Sequence, residues 1–307
     1  MFLGFDTSNY TTSVAVFDGK RIVQKKKLLE VKQGERGLRQ SDAVFQHTVN
    51  MPYLIDELVS EAECSGIDAV AVSTRPRNVD GSYMPCFLVG ENTARSVAAF
   101  SNASIFKTSH QVGHILAALF SVDRLELIKE PFIAFHVSGG TTEALLVKPD
   151  NNELIKAELV AESTDLKAGQ AIDRTGVMLG LKFPCGAMLD EMAQGSCRAF
   201  KIRPSMNDLN CSLSGVENKA KKMLEDNESQ NDIAKFVISY IAETLDEMTG
   251  RIINKYGKYP VVFAGGVTSN SIIKQKLSKK YGAYFAKPEF SCDNAAGIAI
   301  YAYLKSI

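Results

Sequence analysis

Histidine is scarce in this chain. There are four in 307 residues, and two of them, His110 and His114, fall in the octapeptide TSHQVGHI (108–115). Neither sign of charge is in excess, with 35 basic and 35 acidic side chains. That removes the basic footprint of an autonomous nucleic-acid binder, although a local patch would still serve an RNA substrate. The six cysteines (Cys64, Cys86, Cys185, Cys197, Cys211, Cys292) form no CxxC pair, which argues against a thiolate zinc site or a disulfide framework. No apolar run approaches about 18 residues, so no membrane helix is expected. The N-terminus MFLGFDTSNY is too short and too polar for a signal peptide. The expectation is a soluble cytoplasmic protein with reduced thiols. P-loop, HExxH and a GxGxxG opening a βαβ unit are also missing.

What is present reads as two similar halves. MFLGFDT is an apolar strand ending at a polar turn, and TSVAVFDGKRIVQKKKLLEV is a hairpin around DGK. AVFQHTVNMPYLIDELVSEA has apolar residues at helical spacing, DAVAVST is a short strand, and GENTARSVAAFS is a helix entered through a glycine. SHQVGHILAALFS is the next helix, with Ser109 as N-cap. PFIAFHVSGGTTEALLVKPDNNELIKAELVAES then repeats the hairpin logic, followed by helices around 169–180, 187–197 and 229–256. LEDNESQND (224–232) is a loop between helices, PVVFAGGVTSN is strand, glycine turn and helix start, AYFAKP is a last strand, and DNAAGIAIYAYLKS is a last helix. The fold class expected is duplicated α/β, with lobes at 1–125 and 126–307 and the last helix packing back toward a nucleotide cleft between them.

Three turns have the composition of phosphate cradles: DTSNYTT (6–12), SGGTT (138–142) and AGGVTSN (264–270). Glycine admits close backbone approach, and a helix start supplies unpaired donors. Each alone is an ordinary tight turn; their recurrence at corresponding places in two halves favours a nucleotide.

His110 and His114, spaced i, i+4, lie on one helix face and suit a shared cation; chance is the competing account. His136 interrupts the apolar run FIAFHVSGG, and Asp293 opens the last helix, either as a ligand or as an N-cap. Three histidines and an aspartate suit Zn or Fe far better than Mg. His47, on a helix, needs no function.

In their order, HQVGHI, HVSGGTTEALLV, ESTDLKAGQAIDRTGVMLGLKFPCGAMLDEMA, LSGVENK, AGGVTSN and FSCDNAAGIAIYA resemble TsaD/glycoprotease (peptidase M22-like, Gcp) proteins, which form threonylcarbamoyladenosine in tRNA. RQSDAVFQHTVNMPYLI is similar to the helix after the family's N-terminal hairpins, so the resemblance spans nearly the whole chain. It implies the actin/sugar-kinase/Hsp70 (ASKHA) fold. It implies a metal held by His110, His114 and Asp293, with His136 standing where some relatives have a tyrosine ligand. It also implies that Val137, Ser138, Gly139, Gly140, Asp173, Gly186, Asp190 and Asn270 contact ATP or an acyl-adenylate, Asp173 through ribose hydroxyls. The implied reaction is transfer of a threonylcarbamoyl group to N6 of a tRNA adenosine, with other proteins of a tRNA-modifying complex as partners. The metal, Fe or Zn, would act as a Lewis acid.

Four departures from the family pattern stand out. Tyr10 and Thr11 replace an acidic pair; TRPRNVDGSYMPCFLVG replaces a GPGL turn; SGGTT carries Thr141 at a variable polar position; and Gly169-Gln170 replaces GE. Asp190 stands where some relatives have glutamate. Arg75 and Arg77 in the second segment are either a phosphate or carboxylate site or a solvated loop. The alternatives to the transferase are a divergent paralogue with another acceptor and a non-catalytic nucleotide-binding partner of the complex. A protease or a sugar kinase fits the motifs less well, because the chain lacks HExxH and its candidate ligands are histidine-rich.

Overall fold

A run of alternating and continuous apolar residues at the start of the chain gives β1 (Phe2–Ser8), and the DGK turn joins β2 (Thr11–Phe17) to β3 (Ile22–Leu28). A computed structural model describes residues 1–8, 10–31, 38–62, 66–79 and 81–307. The sequence continues through α1 (Gln40–Ala62), β4 (Ala69–Arg75), α2 (Phe87–Ser101), β5 (Ser104–Ser109) and α3 (His110–Ser121). The second half holds β6 (Phe132–Val137), β7 (Thr142–Asp150), β8 (Leu154–Glu162), α4 (Ala168–Met178), α5 (Gly186–Gln194), β9 (Ser205–Asn207), β10 (Asn210–Ser212), α6 (Ser214–Glu225), α7 (Gln230–Tyr256), β11 (Val261–Ala264), α8 (Ser271–Tyr281), β12 (Tyr284–Phe285) and α9 (Ala296–Ser306).

The duplication lies in the strand order. One sheet runs β3-β2-β1-β4-β5 and the other β8-β7-β6-β11-β12. In each, a three-strand antiparallel meander feeds two further strands that lie parallel to its first strand. Parallel strands need helical crossovers, which α1, α2 and the α4–α8 set supply.

The chain divides into two compact units. The first comprises 1–128, 149–156 and 289–307, and the second 129–148 and 157–288. Leu3, Phe5, Val14, Val70 and Val72 from the first sheet pack with Met51, Leu54 and Leu58 of α1 in the first unit's core. Ile133, Phe135 and Phe263 pack with Ile233, Val237, Ile241 and Leu245 of α7 in the second.

Several expected boundaries shift. α2 begins at Phe87, so Gly90 is an interior residue. A Cβ there would lie 2.8 Å from Thr7 Oγ1, so glycine lets α2 lie against β1. The loop expected at 224–232 narrows to the few residues between α6 and α7. The tips of the turns at Asn9 and Asp80, and Cys64, lie outside the described residues.

α9 approaches α3 backbone to backbone. A Cβ on Gly297 would fall 1.8 Å from the Gly113 carbonyl oxygen, inside any tolerated contact. That crossing brings the segment before α9 to the N-terminal turn of α3.

Candidate functional site

Ser109 caps α3, its Oγ accepting the backbone N–H of Val112 at 3.3 Å. The cap fixes the first turn, from which His110 and, one turn on, His114 project on one side. The two Nε2 atoms stand 2.9 Å apart. Asp293 Oδ1 lies 3.3 Å from His114 Nε2 and 3.5 Å from His110 Nε2. Asp293 is not the cap of α9. The N-cap position is Ala295, Asn294 Oδ1 accepts the Ala296 N–H at 3.0 Å, and the Asp293 carboxylate is left to face the imidazoles.

Behind this cluster stands a residue that sequence reasoning passed over. Asp6, fully buried on β1, accepts the His110 Nδ1–H at 2.7 Å through Oδ2, and Ser73 of β4 donates to its Oδ1. The signal was a lone carboxylate inside an otherwise apolar strand, which needs a partner to be buried at all. The contact orients the His110 ring, so that Nε2 faces His114 and Asp293. Burial opposes a charge on the His110 ring, but the Asp6 and Asp293 carboxylates outweigh it and push its pKa up to about 10. Asp293, despite burial, is held far below the usual carboxylate range by its bonds to the two histidines.

These residues fit a divalent cation. His110, His114 and Asp293 each offer one donor atom, all within 4.8 Å of one another, and a carboxylate–histidine pair stands behind one ligand. Two imidazoles and one carboxylate suit Zn or Fe. Thr11 donates to Asp293 Oδ2 at 3.3 Å, orienting the carboxylate without adding charge. His136 sits on β6 in the second unit, opposite Glu143 in the antiparallel register, and is not among the three clustered residues.

Among the nucleotide candidates, Val137, Ser138, Gly139 and Gly140 form the β6–β7 turn. The Ser138 N–H donates to the Thr141 carbonyl at 2.7 Å, and Ser138 Oγ accepts the Thr141 N–H at 3.1 Å. Gly139 and Gly140 are exposed at the tip, where a Cβ would meet nothing, so local packing does not demand glycine there. No acceptor for either backbone N–H is found among the described residues. Gly265 does have a packing role: its φ is +101°, and a Cβ would lie 2.3 Å from the Val137 carbonyl oxygen, so the two turns touch through backbone.

Asp173 of α4 accepts the Cys185 N–H at 2.9 Å and so ties down the loop before α5, which starts at Gly186. Gly139 and Asp173 line a groove of about 700 Å³ whose wall is Val177, Met178 and the exposed Phe183. That apolar wall, suited to a flat ring, was not read from the sequence. Asp190 accepts the Ser271 N–H at 3.0 Å and its hydroxyl at 2.9 Å, so both oxygens are engaged at the start of α8. Asn270 caps α8, Oδ1 accepting from Ile272 and Ile273, while its buried Nδ2 has no partner among the described residues. An unpaired buried donor costs about 1–3 kcal/mol, and a ligand acceptor would relieve it.

The arginine loop is internally satisfied at Arg75. Its guanidinium donates to Asn78 Oδ1 at 3.0 Å, Thr74 Oγ1 at 3.2 Å and Glu153 Oε1 at 3.3 Å.

Residues 22–300 match the family described as TsaD: tRNA N6-adenosine threonylcarbamoyltransferase. The chain belongs to the TsaD family. Among solved structures, the Clostridium difficile activator of 2-hydroxyisocaproyl-CoA dehydratase with bound ADPNP is 15% identical, with 100% of this chain and 96% of that chain covered and a TM-score of 0.53. Full-length HypF in a phosphate- and nucleotide-bound form is 12% identical, with 99% and 55% covered and a TM-score of 0.61. The ROK hexokinase of Thermus thermophilus is 14% identical, with 99% and 98% covered and a TM-score of 0.50. With the two matching sheets, these similarities place this TsaD-family chain in the ASKHA fold class. Among its described residues, no helix is long and apolar enough to cross a membrane.

Proposed function

We propose that this TsaD-family chain is an acyltransferase that moves a threonylcarbamoyl group, or a related carbamoyl group, from an acyl-adenylate to N6 of a tRNA adenosine. The observation that carries the proposal is the meeting of His110, His114 and Asp293, distant in sequence, at the capped end of α3, with Asp6 orienting one of them. A divalent Fe or Zn ion held there would supply Lewis acidity toward a carbonyl or carboxylate oxygen.

The remaining tasks belong to the chain's own groups. The free N–H groups of Gly139 and Gly140 would meet phosphate or developing oxyanion charge. Val177, Met178 and Phe183 would flank the adenine ring. Asp173 would keep its bond to Cys185 and offer its other oxygen to a ribose hydroxyl, and Asn270 Nδ2 would donate to the adenylate. The N6 amine would attack the carbamoyl carbon, the acyl–phosphate bond would break, AMP would leave with the bridging oxygen, and the amine's proton would pass to water. His136 is proposed as a further ligand. Partner proteins of a tRNA-modifying complex and a cytoplasmic site complete the reading.

A second reading rests on Thr11. A hydroxyl now contacts Asp293 where the family carries an acid, and it is a poor general base. That favours a divergent paralogue acting on another amine or hydroxyl, or a nucleotide-binding partner without catalysis.

The test is to incubate the metal-loaded protein with threonylcarbamoyl-adenylate, unmodified tRNA and the usual partner proteins, then digest the RNA and weigh its nucleosides. Threonylcarbamoyladenosine that disappears in the double variant His110→Ala/Asp293→Ala supports the proposal. AMP release without modified adenosine would favour the other-acceptor reading, and no turnover the non-catalytic one.

A further inference from the structure

In the second unit the chain between α5 and β9 crosses the surface as an extended ledge. From Lys201 to Met206 exposure alternates, with Lys201, Arg203 and Ser205 outward and Ile202, Pro204 and Met206 half-buried. Ile202 and Met206 pack on the core below. The period of two puts Lys201 and Arg203 on the same side, about 6.7 Å apart along the chain. That is comparable to the spacing of successive phosphates on a nucleic-acid strand. Across from them Arg251 of α7 is held by Glu247 Oε1 at 2.8 Å and by the Asp208 carbonyl at 2.7 Å. These residues line an open groove of about 540 Å³.

Its charges are unevenly matched. Arg198, Lys255 and Arg174 of the same unit are each ion-paired, with Glu228 and Asp232, with Asp208 and with Glu217. Among the described residues Lys201 and Arg203 have no ion pair, and the backbone N–H groups of Lys201, Ile202 and Arg203 reach no acceptor. Two unmatched cations and three free backbone N–H groups thus lie on one linear track, with Glu247 as the acid lining the groove. Lys, Arg and backbone N–H are the groups that hold phosphates in register. A membrane surface is disfavoured, because the ledge's apolar side chains point inward.

We propose that this ledge seats the phosphodiester backbone of RNA, with Lys201 and Arg203 on successive phosphates. The proposal rests on the RNA-acceptor reading above and gives that acceptor a place to dock.

The experiment measures binding of the full chain to a fluorescently labelled tRNA transcript by anisotropy across a salt series, for wild type and Lys201→Ala/Arg203→Ala. Both side chains are exposed, so melting temperature should hold. The expected result is at least tenfold weaker binding at low salt, with the slope of log K against log[salt] lowered by about 1.4–1.8 for two lost phosphate contacts. Lys274→Ala/Lys279→Ala, on α8, should leave both unchanged. Equal affinity and slope in the ledge variant and wild type, no RNA binding by the wild type, or an equal loss in the α8 control would each overturn the proposal. A loss seen for polyglutamate and not for RNA would assign the ledge to an acidic peptide instead. Ledge-dependent binding without adenosine modification would keep the ledge and remove the transfer to adenosine.

Discussion

The two units make their candidate sites from different materials. In the first, side chains do the work: His110, His114 and Asp293 converge, and a buried layer of Asp6, Ser73 and Thr11 orients them. In the second, backbone does most of it, through the Ser138–Thr141 turn, the contact of Gly265 with Val137 and the capped start of α8. A side-chain site fails when a functional group is exchanged. A backbone site fails when a methyl group is added.

The largest effect should come from the backbone. Gly265→Ala combines a positive φ with a Cβ 2.3 Å from a carbonyl oxygen, and should cost about 3–5 kcal/mol. Hydrogen exchange of the β6 and β11 amides should rise while β1 amides stay protected; unchanged exchange would show that the turns tolerate a side chain. Next is His47, buried on α1 with Nδ1 on Thr12 Oγ1. Burial pushes its pKa down to about 4 from 6.5. Between those values the unfolded chain binds a proton that the folded chain refuses. Stability is therefore complete above about pH 6.5 and falls as pH drops toward 4, by about 3 kcal/mol. Urea midpoints at pH 7 and pH 4.5 should differ less in His47→Gln than in wild type.

Smaller is Asp6→Asn, which keeps shape but loses the charge behind His110. Metal affinity measured against a chromophoric chelator should fall 10–100-fold, about 1.4–2.7 kcal/mol. No change would reduce Asp6 to packing. Smallest is Asn270→Ala, about 1 kcal/mol for a lost N-cap, read as faster exchange in the first turn of α8.

The sequence showed the duplicated halves because strand and hairpin patterns are local, and the i, i+4 pair because one helix carries both histidines. Asp293 was legible as a candidate but not separable from a cap, since choosing between the two roles needs the approach of α9 to α3. Asp6 was hidden for the same reason: its partners come from β4 and α3, and no spacing rule links them. The wall of Val177, Met178 and Phe183 was hidden in an ordinary amphipathic pattern. Helix boundaries slipped where tertiary contact decided them, as at Gly90, whose missing side chain serves β1 instead of starting α2.

One consequence follows from where Asp293 sits along the polypeptide. The first unit takes its closing segment, 289–307, from beyond the whole of the second. During synthesis the two imidazoles therefore emerge some 180 residues ahead of their carboxylate. Until that tail arrives, a nascent chain has only two of the three clustered donors, so any cation that needs all three would be held only once synthesis has passed residue 293.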